Sequence, residues 1–190
     1  MRSKIQKITT GKSGTVYSSI VEALRYSAPH KFVGKAYQRY LDNYPNNQSM
    51  NGRIFEYLIC ETLAQGGITP FYYQACFERV PNADFDVVLY DPTRPIALTM
   101  KVSLRERYKQ ADLEGAALRN VYRQAESYLI TLSGQEAANV SDKIKAGGVA
   151  GLSRCLRANK PEYSELITEL SGKKFCLAER VMPISGKKFQ

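Results

Sequence analysis

The segment DFDVVLYDPTRPIALTMKVS, residues 84–103, leaves this chain few ways to fold. Its two runs, 84–90 and 96–103, alternate with period 2. The DPTRP between them is turn chemistry, and its prolines forbid continued ladder pairing. An antiparallel hairpin is the expectation. On its first strand Asp84, Asp86, Val88 and Tyr90 share one face, opposite Phe85, Val87 and Leu89. On the second, Leu98, Met100 and Val102 make an apolar face, and Ala97, Thr99, Lys101 and Ser103 make a small polar one. One ammonium stands on that polar face, and small neighbours around it predict that something fits beside it. A turn centred on Thr93–Arg94 pairs Tyr90 with Ala97, Val88 with Thr99 and Asp86 with Lys101. A register two residues away puts Asp84 in place of Asp86.

Around the hairpin, apolar spacing predicts helices over 15–28, 36–43 and 53–65, the last stopped by Gly66–Gly67. A strand is expected over 71–80, a helix over 108–126 and a strand over 127–133. Short helical patterns follow at 135–146 and 162–171, then a late strand at 173–182. The middle of the chain thus reads helix, three strands, helix, strand, an α/β order. In the helix after the hairpin, Glu114, Leu118, Val121 and Ala125 form one stripe facing the sheet, while Arg119 and Arg123 face away. A carboxylate on that stripe is costly unless it meets a cation.

With 190 residues, one domain is expected, with no apolar run long enough for a membrane span and no secretory leader. The four cysteines, Cys60, Cys76, Cys155 and Cys176, are scattered and read as buried free thiols of a cytoplasmic protein. A single histidine, His30, is expected in a loop, and its solitude excludes chemistries that need a histidine pair within one chain. The net charge of +9 is unevenly spread. Residues 1–40 hold eight basic residues and one acid, 41–140 hold nine and twelve, and 141–190 hold ten and five. Basic ends favour a polyanion, with nucleic acid the commonest, and the acids at the centre suit a divalent metal.

Asp86, Lys101 and Glu114, with Glu56 from the preceding helix, are groups that metal-dependent phosphodiester hydrolysis needs. Carboxylates hold Mg²⁺, and a lysine offsets negative charge as it develops. A plain cross-strand Asp–Lys pair is the simpler account of those two residues alone, but it leaves Glu114 and Glu56 unexplained.

The αβββαβ order with Asp86 and Lys101 resembles the PD-(D/E)XK nuclease superfamily, whose strand motif is an acid, any residue, then lysine. Here Thr99 stands in the acid's place. The same departure marks the EcoRII/PspGI/NgoMIV-like type II restriction endonucleases, in which a glutamate on the next helix replaces the missing carboxylate. Their string of residues is similar to Lys101-VSL-Arg105-Glu106-Arg107-Tyr108-Lys109-Gln110-ADL-Glu114. The resemblance covers about residues 51–133, between basic flanks at 1–50 and 134–190. It implies a single restriction-endonuclease-like domain, a mixed sheet flanked by helices, with extra helical segments at both ends. It further implies a Mg²⁺-dependent type II restriction endonuclease, cutting double-stranded DNA at a specific short site as a homodimer. Asp86 (or Asp84) and Glu114 would hold the metal, Lys101 and Glu56 would complete the catalytic set, and Arg105, Glu106, Arg107 and Lys109 would contact DNA. The alternatives are a repair nuclease, junction resolvase or heteromeric subunit of the same superfamily, or a non-catalytic DNA-binding module.

Overall fold

The computed structural model describes residues 1–45, 47–178 and 184–190. Along the chain run α1 (Gly11–Glu22), α2 (Pro29–Asn43), α3 (Gln48–Gln65), β1 (Phe71–Phe77), β2 (Phe85–Leu89) and β3 (Ile96–Lys101). They are followed by α4 (Tyr108–Val121), β4 (Glu126–Thr131), α5 (Gly134–Lys145), β5 (Arg154–Arg157), α6 (Pro161–Ser171) and β6 (Ile184–Phe189). The stretch from α3 to β4 has the expected order. The chain divides into two compact units, one of Met1–Ile68 with Ala158–Lys173, the other of Thr69–Arg157 with Lys174–Gln190.

The first unit is helical, built from α1, α2, α3 and α6. Pro29 opens α2 at its first position, where a missing N–H costs nothing, so this helix starts well before residue 36. His30 therefore lies in a helix and not in a loop. Its backbone N–H and its Nδ1 both meet Ser164 Oγ, at 3.2 and 2.8 Å, which ties the start of α2 to α6. Glu61 is fully buried on α3, yet it accepts from Ser3 Oγ, Lys4 N, Tyr17 Oη and Gln65 Nε2. These neutral donors satisfy the buried side chain and anchor the N-terminal segment to α3.

The second unit holds a six-stranded mixed sheet in the order β5-β4-β3-β2-β1-β6. Strands β1, β2 and β3 form an antiparallel meander, β6 pairs antiparallel with β1, and β4 and β5 continue parallel from β3. The short β5 and the edge strand β6 were not expected. Of the late strand at 173–182, residues 174–178 are irregular and 179–182 lie outside the described residues. Helices α4 and α5 pack on one face of this sheet. Leu118 of α4 meets Val88 and Ala97, while Ala111 joins Leu129, Ala137, Val140 and Cys155.

The small residues on β3 and β4 find their reason here. An ideal Cβ on Gly115 would lie 3.0 Å from Ser127 Cβ, and Ser127 is the register partner of Ala97. What fits beside the small face is thus the backbone of α4 itself. The helix ends at Val121, because Tyr122 is already extended, so Val121 is 41% exposed and outside the buried stripe. Arg119 does not face away. Its guanidinium donates to the Ala150 carbonyl and, at 3.1 Å, to Ser153 Oγ, holding the loop before β5 against α4. Cys60 and Cys155 are buried free thiols, but Cys76 is half-buried and Cys176 exposed. Among the described residues no helix is long and apolar enough to cross a membrane.

Candidate functional site

The hairpin pairs Val87 with Leu98, Val88 with Ala97 and Leu89 with Ile96, the alternative register two residues from the first, which extended along the strands sets Asp84 across from Lys101. The same register sets Asp86 across from Thr99. Lys101 nevertheless reaches Asp86, diagonally, with Nζ 3.6 Å from Oδ2. The reason lies in the backbone. Beyond Val87 the Met100 N–H is met by the Asp86 carboxylate, at 2.5 Å. The side chain thereby satisfies a donor in the sheet and is itself fixed beside the lysine. Both are half-buried, at 25% exposure for the Lys101 side chain and 17% for Asp86.

From the other side of this corner comes Glu114, only 7% exposed on α4. Gln110, one turn earlier, donates its Nε2 to Glu114 Oε1 at 2.7 Å. Burial pushes the Glu114 carboxyl above its ordinary range. The Gln110 amide and the Lys101 ammonium oppose that shift, while Asp86 and Asp84 add to it. One lysine and three acids (Asp84, Asp86 and Glu114) are thus close enough to act on one another.

Thr99, in the family's acid position, is buried at 4% exposure and could not present a carboxylate without displacing its surroundings. Glu56 is on α3, in the first unit, where Arg53 Nη1 is 3.5 Å from its Oε2. Among the described residues no group of three or more His, Cys, Asp or Glu side chains is arranged to hold a metal ion. Of the expected metal ligands, Asp86 and Glu114 are two carboxylates, the number that Mg²⁺ can accept when water and phosphate oxygen fill the rest of its shell.

The loop from β3 to α4 exposes Arg105, Glu106 and Arg107, and the first turn of α4 exposes Lys109. Arg105 sits at φ 42°, a left-handed conformation unusual for a residue with a long side chain. Glu106, just before α4, and Lys109 on its first turn form an ion pair. Each holds the other's charged form, lowering the carboxyl and raising the ammonium. Tyr108 lies beneath Lys143 of α5, whose Nζ is 4.5 Å from the ring centre and 2.7 Å from its hydroxyl.

The residue missed from sequence is Glu136. Its two oxygens accept from the backbone N–H groups of Leu104 and Arg105, at 2.8 and 2.7 Å. Those bonds, the Leu104 one foremost, together with the Ser133 hydroxyl, hold its carboxyl below the usual range. The signal was present: Ser133-x-x-Glu136 has capping-box spacing at the start of α5. Here the glutamate turns outward to fasten the loop after β3.

No protein-family model matches this chain, and no curated protein or solved structure matches it.

Proposed function

We propose that this protein is a Mg²⁺-dependent endonuclease of double-stranded DNA, with Asp86, Lys101 and Glu114 at its centre. The observation that supports this best is the convergence of Lys101, Asp86 and the buried Glu114 on one corner of the sheet, with Thr99 occupying the place of the missing strand carboxylate. The αβββαβ order and the mixed sheet agree with the restriction-endonuclease-like architecture that the sequence resembles.

In this reading Asp86 and Glu114 hold Mg²⁺, which when bound polarises the scissile phosphate and lowers the pKa of water. Asp86 is already oriented by the Met100 N–H and Glu114 by Gln110, so little rearrangement is needed to receive the ion. Lys101 keeps its ammonium beside Asp86 and offsets charge developing on the phosphate oxygens. The exposed Arg105 and Arg107 on the adjoining loop and Lys109 at the start of α4 meet the DNA. Arginine suits bidentate contact with guanine, and Glu136 keeps that loop in shape for it. The acid Glu106 is the least suited of the four to read a base, because Lys109 engages it. A homodimer acting at a short symmetric site would place one such centre at each strand.

Incubation of the purified protein with phage DNA and Mg²⁺ tests the reading directly. Discrete fragments support a site-specific endonuclease, whereas nicked circles alone favour a single-strand-cutting subunit. DNA binding with no Mg²⁺-dependent cleavage would make the protein a binding module instead.

A further inference from the structure

Helix α5 holds the loop between β3 and α4 at both ends. Glu136 and Lys143 lie about two turns apart on this helix and share one face. Glu136 accepts from the backbone of Leu104 and Arg105, where the loop begins. Lys143 lies over Tyr108, where the loop ends, and its Nζ donates to the tyrosine hydroxyl at 2.7 Å. Tyr108 packs against the buried cluster of Leu104, Ala111 and Val140, so its ring is a firm support. Between these two fastenings Arg105, Glu106 and Arg107 are exposed, and so is Lys143. Among the described residues no ion pair engages Lys143, because Glu106 binds Lys109 instead. Lys143 adds to the pull of Lys109 that holds the Glu106 carboxyl low, so it belongs to the same patch. The tyrosine oxygen takes one of the three ammonium donors and leaves the charge intact.

We infer that Lys143 is a nucleic-acid-binding residue, whose ammonium donates to a backbone phosphate of the DNA that Arg105 and Arg107 meet. This rests on the nuclease reading above, and it extends the DNA surface from the loop onto α5. Duplex DNA carries a negative charge about every 1.7 Å along its axis. A duplex lying on Arg107 therefore has phosphates to offer a cation that stands over Tyr108, the next residue. The contact carries no base information, since an ammonium on a phosphate positions the protein without reading sequence. It also costs little side-chain freedom, as the tyrosine already holds the lysine in place. Lys145 makes the contrast. Both lysines lie in the last turn of α5, where the helix dipole favours cations. Lys145 is accounted for by that dipole and by its pairing with Asp142, at 3.7 Å.

The test measures binding to a short random-sequence DNA duplex, without Mg²⁺, over a series of salt concentrations. It compares wild type, Lys143→Gln, Lys143→Arg and Lys145→Gln, each checked for folding by thermal melting. Lys143→Gln should weaken binding and lower the slope of log affinity against log salt by about one, the share of a single phosphate contact. Lys143→Arg, which keeps the charge, should retain most of the wild-type slope, and Lys145→Gln should retain it too. An unchanged slope in Lys143→Gln overturns the assignment and leaves the lysine as a support for Tyr108. Equal falls in the two glutamine variants also overturn it, since net charge alone would then account for them. Wild-type protein that binds no DNA would remove the nuclease reading and this inference with it; a wild type that binds and cuts DNA, with an unchanged slope in Lys143→Gln, removes this inference alone.

Discussion

Replacing Gly115 by alanine tests how Glu114 is held. The two are neighbours on α4, and the helix lies against the loop before β5 with backbone touching backbone. An ideal Cβ on Gly115 would overlap the Gly151 carbonyl oxygen, lie 2.9 Å from its carbon and lie 3.0 Å from Ser127 Cβ. Carbon atoms in good contact are about 3.5–4.0 Å apart, so helix and loop must separate by about 1 Å. The loop cannot retreat easily. Gly151 donates to Asp112 Oδ1, and Arg119 grips Ala150 and Ser153. Overpacking of this kind costs about 1–3 kcal/mol, and rigid backbone on both sides argues for the upper end. Alanine returns about 1 kcal/mol through its better helix propensity. The net loss is therefore about 2 kcal/mol, or a fall in Tm of about 4–8 °C for a chain of this size. Gly52 on α3 is the internal control, since nothing lies within 4 Å of its ideal Cβ. There the same change should stabilise by about 0.5–1 kcal/mol. Urea denaturation of both variants measures the difference, and cleavage by Gly115→Ala should fall about a hundredfold, the usual cost of a 1 Å misplacement. If Gly115→Ala proves as stabilising as Gly52→Ala, α4 does not rest on that loop and the account of how Glu114 is positioned is wrong.

Glu114→Gln should raise the thermal stability of the metal-free protein at neutral pH. Its folded carboxyl titrates high, so the cost of its charge is fully present above that pKa and fades as pH falls through it. The gain should vanish at low pH, and added Mg²⁺ should stabilise wild type but not the variant; a variant melting below wild type at pH 7 sinks this reasoning. Glu136 has the opposite sign: its contribution is present above the ordinary glutamate pKa of about 4.3 and is lost as pH falls through its lower folded value. Glu136→Gln should cost about 1–3 kcal/mol at pH 7, with faster amide exchange at Leu104 and Arg105, and unchanged exchange there would show the loop is held otherwise. Lys101→Ala should abolish cleavage with little change in the circular dichroism spectrum; loss of folding would make the lysine half of a structural pair. Arg107→Ala should weaken binding to the cognate site by about 1–3 kcal/mol more than to random DNA, whereas equal losses would make it a phosphate contact.

Period and punctuation in the sequence were enough for the hairpin, for the α/β order from α3 to β4, and for Glu114 facing the sheet, because alternation and helical spacing are local properties of the chain. They did not determine register. Period 2 assigns a face and is blind to shifts of two residues, and it was the Asp86 carboxylate, taking the Met100 N–H, that brought Asp86 to Lys101 diagonally. The left-handed φ of Gln74, 49°, falls where the register shifts between β1 and β6, strands more than a hundred residues apart in the chain. Gly115 reads in isolation as a weak helix residue, and only the approach of the loop at Gly151 gives it a purpose. Local pattern decided which face of the strands and of the middle of α4 turns inward. Contacts between distant backbones decided which of them meet, since each depends on where a remote segment comes to rest.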